Sequence, residues 1–222
     1  MRPSVALAGL LLLGGCLANT HPTPASDPGG EFSSYLLPRY GLEIGRQKSV
    51  GLLNWDREYH DQYRIRGLSD KQAAAEAAAK GWQALEAGKD SEAMRQFYLA
   101  WLADPEASAS YHGFAIVLLA RRSPPDAVLK EFEAARGRAD TTTDVIVDEA
   151  KYLASIDRRE EAYTILQDAL AENPRAHNVA RTLQSLSIDA GDTAGICRWG
   201  RLAQRNGDDQ PSGTDFMETN CT

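Results

Sequence analysis

The chain has little of what chemistry at a reacting centre needs. Its 222 residues include three cysteines and four histidines. His21, His60, His112 and His177 have no second metal ligand at i+3 or i+4 on a shared face, which removes the helical zinc motifs. No Ser or Cys motif of a hydrolase is present, and no phosphate loop. Glu160-Glu161 and Asp208-Asp209 are sequence neighbours, which reads as solvated charge and not as a general acid/base pair. The expectation is a chain that is not an enzyme, with no metal, no cofactor and no small-molecule substrate. There is no basic block either. The formal charge is −7, from 24 basic and 31 acidic residues, and this argues against nucleic acid as a partner.

What is present begins with MRPSVALAGLLLLGGC. Arg2 supplies a positive start, Val5 to Leu13 a short apolar run, and Gly14-Gly15 a small-residue end. The run is too short to span a bilayer core of about 30 Å, so residues 1–15 read as a cleaved secretory signal. An ordinary signal peptide with a coincidental cysteine, or a short membrane anchor, remains the bland alternative. Leu13-Gly14-Gly15-Cys16 also resembles the bacterial lipobox. That resemblance implies cleavage before Cys16 and a covalent lipid on its thiol, with a second acylation on the new amine. Two or more chains hold a membrane stably where one binds marginally. Leu17 follows Cys16 where an Asp commonly signals inner-membrane retention. The resemblance therefore implies the outer membrane, facing the periplasm. Loss of Arg2 with the signal takes the formal charge from −7 to −8.

Residues 16–31 start at that cysteine and continue LANTHPTPASDPGGE, which cannot bury apolar surface and reads as a tether. Residues 32–68 are different, with Phe32, Tyr35, Tyr40, Trp55, Tyr59 and Tyr63 spread through a segment interrupted by Gly41, Gly45 and Gly51. The expectation is an extended arm with a short helix around Asn54 to Arg64. Its aromatics suit a strap packed on the body, or a docking element for a partner.

Regularity starts at Ser69, where Ser69 to Gln72 has the form of a capping box. AAAEAAAKGWQALEAG then reads as a helix stopped at Gly88. Asp90 is expected to cap the next helix, which Asp104-Pro105 ends. Pro105 and Pro174 stand 69 residues apart, close to two periods of the 34-residue helix–turn–helix repeat. Residues 74–107 resemble a tetratricopeptide repeat (TPR), with Gly81, Ala93, Phe97, Ala100 and Pro105 in the small, small, aromatic, small and proline places. The early Trp and Leu of the pattern are missing, at Ala77 and Lys80. Residues 143–176 fit the same register through Ala150, Leu153, Ala162, Leu166, Ala169 and Pro174, with Asp157 to Glu160 as a further capping box. Between them, 108–142 is a weaker unit whose second helix is expected to start at Ser123-Pro124. A fourth unit, 177–210, turns at Gly191-Asp192 and ends at Gly207, leaving 211–222 as a tail. The resemblance implies an all-α helical-hairpin solenoid of about four repeats over 69–210, because one such pair cannot bury its own face and must stack.

Cys197 and Cys221 form an even pair in an oxidising compartment. A bond between them would fold the tail over the end of the array; two free thiols are the alternative. TPR arrays bind through a concave face lined by first helices. By that pattern the groove residues are Trp82, Leu85, His112, Ile116, Leu119, Lys151, Arg181 and Ile188. This lining is apolar at the first two repeats and basic toward the last two, which suits an amphipathic helix or an extended acidic segment. A TPR lipoprotein of this size resembles the pilotins, which escort or stabilise secretins, the ring-shaped outer-membrane pores of pilus and secretion systems. With its arm and tail it is most similar to the TadD family of the Tad (tight adherence, Flp) pilus. The implied partner is a secretin subunit in a multimeric ring. A different reading makes the chain an adaptor for outer-membrane barrel assembly or for cell-wall synthesis enzymes.

Overall fold

The structure is a computed structural model that describes residues 38–39, 47–208 and 221. The expected signal, Cys16, the tether and most of the tail lie outside those residues. Among the described residues there are nine helices and no strand: α1 (Val50–Ile65), α2 (Asp70–Glu86), α3 (Asp90–Ala103), α4 (Ser108–Ala120), α5 (Pro125–Arg136), α6 (Thr143–Ser155), α7 (Arg159–Glu172), α8 (Val179–Ala190) and α9 (Thr193–Asn206). From α2 onward they pair as four hairpins, α2/α3, α4/α5, α6/α7 and α8/α9, each packed on the next.

The hairpin turns share one geometry. After the first helix of each pair a residue takes the left-handed conformation: Gly88 (φ 67°), Arg122 (φ 54°), Asp157 (φ 64°) and Gly191 (φ 68°). The following amide then donates back to a carbonyl five residues earlier: Lys89 to Ala84 (2.8 Å), Ser123 to Leu118 (3.0 Å), Arg158 to Leu153 (2.9 Å) and Asp192 to Ser187 (2.9 Å). This is the Schellman closure of a helix end. It corrects three details of the sequence reading. Asp157 closes α6 in the place a glycine would take, so Asp157 to Glu160 is not a capping box; Arg158 stands at the N-cap without a side-chain capping bond. Lys89, not Asp90, occupies the N-cap of α3. Pro124 takes the N-cap of α5 and Pro125 its first helical position, one residue later than expected. The capping box at Ser69 and Gln72 is formed in full.

Packing between hairpins turns on Phe97, which is fully buried. Its ring lies between two glycines of flanking first helices. A Cβ built on Gly81 of α2 would sit 2.7 Å from the ring, and one on Gly113 of α4 only 2.2 Å. Ala93 and Ala100, on either side of Phe97 along α3, are fully buried too. In the third hairpin Leu166 has the same standing, with Ala150 and Ala162 fully buried. The small positions let the backbones approach, and the large side chain fills the space between pairs.

Part of the arm departs from expectation. Val50–Ile65 is one continuous helix, and Gly51 falls in its first turn, where it interrupts nothing. Ser49 caps it by accepting from the Leu52 amide at 3.2 Å. Leu52, Trp55, Asp56, Tyr59 and Tyr63 make a single helical stripe, buried or half-buried against the first hairpin. Asp56 is buried but satisfied: Lys48 pairs with it, and the Tyr98 hydroxyl donates to it at 3.0 Å. Farther up the chain, Arg39 makes a bidentate pair with Glu131 of α5, at 2.7 and 2.8 Å. Its guanidinium lies 5.1 Å from the Tyr111 ring centre and 5.5 Å from that of Phe114. The described part of the arm therefore straps onto α3, α4 and α5.

Two outcomes follow from this packing. Gly113→Ala should lose about 3 kcal/mol, the upper end for overpacking, and the loss should shrink in a Phe97→Leu background. Urea denaturation of the two single variants and the double variant reads this coupling. Arg39→Met should cost about 3–5 kcal/mol, because it strands a buried carboxylate. Burial already pushes the Glu131 carboxyl above its ordinary range against the pull of Arg39. A carboxyl that holds its proton more tightly when folded adds stability as pH falls. The Arg39→Met deficit should therefore narrow in urea melts at lower pH, and a deficit constant with pH would contradict the assignment.

Candidate functional site

The first helices α2, α4, α6 and α8 carry a continuous line of side chains. Trp82 of α2 stands edge-on to Phe97 and to His112 of α4, with ring centres 5.0 Å apart in each case. His112 is buried, with Phe132 of α5 on another side at 6.1 Å. Its Nε2 donates to Asp148 Oδ2 of α6 at 3.1 Å, and Lys151 Nζ donates to Asp148 Oδ1 at 3.3 Å. Burial alone would raise the Asp148 carboxyl, but the His112 hydrogen bond and the Lys151 charge outweigh it and hold it below the usual carboxylate range. Lys151 and Arg181 of α8 then line one open cavity of 550 Å³.

The eight residues expected to line the groove are thus of four kinds. Trp82, Leu85 and Ile116 are half-buried and packed against the main core, so only part of each faces outward. His112 is a wall of the groove, bonded and enclosed. Leu119 and Ile188 are exposed at the C-terminal ends of α4 and α8, while Lys151 and Arg181 share the cavity. Sequence reasoning missed two members. Asp148 joins the aromatic half to the basic half, and its only sequence signal is its i, i+3 spacing to Lys151. Arg159, at the first position of α7, reaches the same cavity and carried no signal, because it belongs to a second helix.

The described part of the arm contacts Tyr98, Trp101, Tyr111, Phe114 and Glu131, none of which is among the eight. Among the described residues no three of His, Cys, Asp or Glu converge as metal ligands. No described helix is long and apolar enough to cross a membrane.

Cys197 of α9 and Cys221 are joined in a disulfide with Cα atoms 5.3 Å apart and a sequence separation of 24. Arg201, one turn beyond Cys197, donates to the Cys221 carbonyl at 2.9 Å. Closing a loop of this length contributes about 3–4 kcal/mol on the chain-entropy model. Cys221→Ser should lower the denaturation midpoint by a corresponding amount. Alkylation of the intact protein should add mass at these two thiols only after reduction.

No family model matches the chain, and no curated protein matches it. Among solved structures, that of PilF from Pseudomonas aeruginosa is similar, with a TM-score of 0.55 and 20% sequence identity. The match covers 62% of this chain and 62% of PilF, so the chain spans less than two thirds of that protein's length. Four hairpins with a common turn, small residues at the close approaches, and this likeness agree: the chain folds as an all-α array of TPR-type helical hairpins, an architecture shared with PilF.

Proposed function

We propose that the chain is a non-enzymatic outer-membrane lipoprotein that binds a secretin subunit, in the role of a pilotin, during assembly of a Tad-type pilus. The observation that carries the reading is the line of first-helix side chains from Trp82 to Arg181, which the described part of the arm does not contact. An elongated surface of this kind suits a polypeptide segment. The fold likeness to PilF supports a scaffold role in pilus assembly.

The mechanism needs no bond chemistry. A lipid on Cys16 holds the membrane, residues 16–31 give the body reach, and the groove holds the partner. One lipoprotein on each subunit of a ring multiplies weak contacts into firm attachment. Affinity purification of the full-length protein from detergent-solubilised membranes should recover a secretin. Recovery of the barrel-insertion machine or of a peptidoglycan synthase in its place would overturn the reading. Cys16→Ala should leave secretin multimers mislocalised, as scored by membrane fractionation.

A further inference from the structure

The lining of the cavity between α6 and α8 carries more basic than acidic side chains. Its cations come from three helices: Lys151 of α6, Arg159 of α7 and Arg181 of α8, with Asp189 as the acid on its lining. The chain as a whole is acidic, at −7. The floor is apolar, through Val147 and Leu186. Cations over an apolar floor suit a carboxylate carried on a partly apolar body.

We infer that this cavity is an anion subsite for the acidic part of a polypeptide lying along the first-helix groove, and that Asp148 is its internal competitor. The inference rests on the reading of that groove as the binding face. Two features choose a polypeptide over a small anion. The cavity continues through Lys151, Asp148 and His112 to Trp82, so the surface runs on well beyond the space one carboxylate fills. It also changes from cationic to aromatic along that line, which matches an occupant with an acidic and an apolar portion. Asp148 holds Lys151 by an ion pair. An incoming carboxylate must take over that ammonium, while His112 keeps the displaced Asp148 oxygen pair partly satisfied.

The test is fluorescence anisotropy of the full chain with a labelled peptide of alternating Asp and Leu, beside its Asn-and-Leu counterpart. The acidic peptide should bind more tightly, and the difference should shrink as salt rises. Lys151→Gln with Arg159→Gln, both on exposed side chains, should weaken it about tenfold. Asp148→Asn should tighten it about threefold, since it removes the competing charge and leaves a hydrogen-bond acceptor for His112. Arg198→Gln with Arg205→Gln, on the exposed face of α9, should leave binding unchanged. Equal binding of the Asn peptide would overturn the subsite. So would an equal loss in the α9 variant, or weaker binding on Asp148→Asn. Competition by free succinate at concentrations matching the peptide would show that the cavity takes small anions and would overturn the polypeptide assignment. The secretin reading fails separately: if purification recovers no secretin while the acidic peptide binds as described, the partner is another protein with an acidic segment. If a secretin is recovered and the peptide does not bind, the subsite alone is lost.

Discussion

The Phe97 ring packs directly against two backbones, at Gly81 and Gly113. No side chain could stand at either glycine without moving the ring. Phe97 thereby fixes how near α2 and α4 come, and Trp82 and His112 meet only because those helices are at that distance. The groove is a product of packing on its own far side. Further along, smaller partners do the same work: Leu166 among Ala150, Ala162 and Ala169, all buried. The array is held in register by contacts between large and small side chains, and its surface chemistry follows from where that register leaves the first helices.

The two broad faces of the array are used differently. On the side of α3 and α5, charges are buried and paired: Arg39 with Glu131, and Lys48 with Asp56. Such pairs add little net stability over apolar contacts, but they are costly to break one partner at a time, so they fix where the arm can lie. On the first-helix side, the charges are half-buried or exposed, and Asp148 is shared between two donors. A shared, partly solvated carboxylate can exchange partners; a buried bidentate pair cannot. One face is closed by fixed pairs, and the other carries a charge that can change partners.

The periodicity of small residues carried the fold, because Gly81, Ala93, Ala100, Ala150 and Ala162 are small where helices approach one another, and the repeat keeps those approaches at constant spacing along the chain. The helix starts were less legible. Asp157 and Ser123 have the composition of caps, yet Asp157 closes the preceding helix in a left-handed conformation, and the cap place beside Ser123 is taken by Pro124. Local composition could not tell an N-cap from the residue before it, since both favour the same short polar side chains. Gly51 misled in the opposite direction: a glycine in the first turn of a helix costs little when a serine caps it and a long aromatic stripe anchors the rest. In the candidate site, Trp82, His112, Lys151 and Arg181 could be placed on first helices by register alone. Arg159 could not, because its position depends on how a turn aims a second helix back over the groove.

The main core crosses from the second hairpin into the third through Val145 and Tyr152 of α6, with the Phe132 and Tyr152 ring centres 6.2 Å apart, but the helices pack more thinly at this seam than at the other two. Leu129 is common to the two large core clusters, and beside it the joint is spanned by Arg136 with Glu149 and by His112 with Asp148. In most repeat arrays the ends fray first, since each terminal unit lacks a neighbour. Here the first hairpin is clasped by α1, and the last is stapled by Cys197 and Cys221. Fraying is opposed at both ends, so the seam between the second and third hairpins becomes the soft point. A pull applied along the chain would load that seam, where the polar bridges through Asp148 and Glu149 share it with the Phe132–Tyr152 contact.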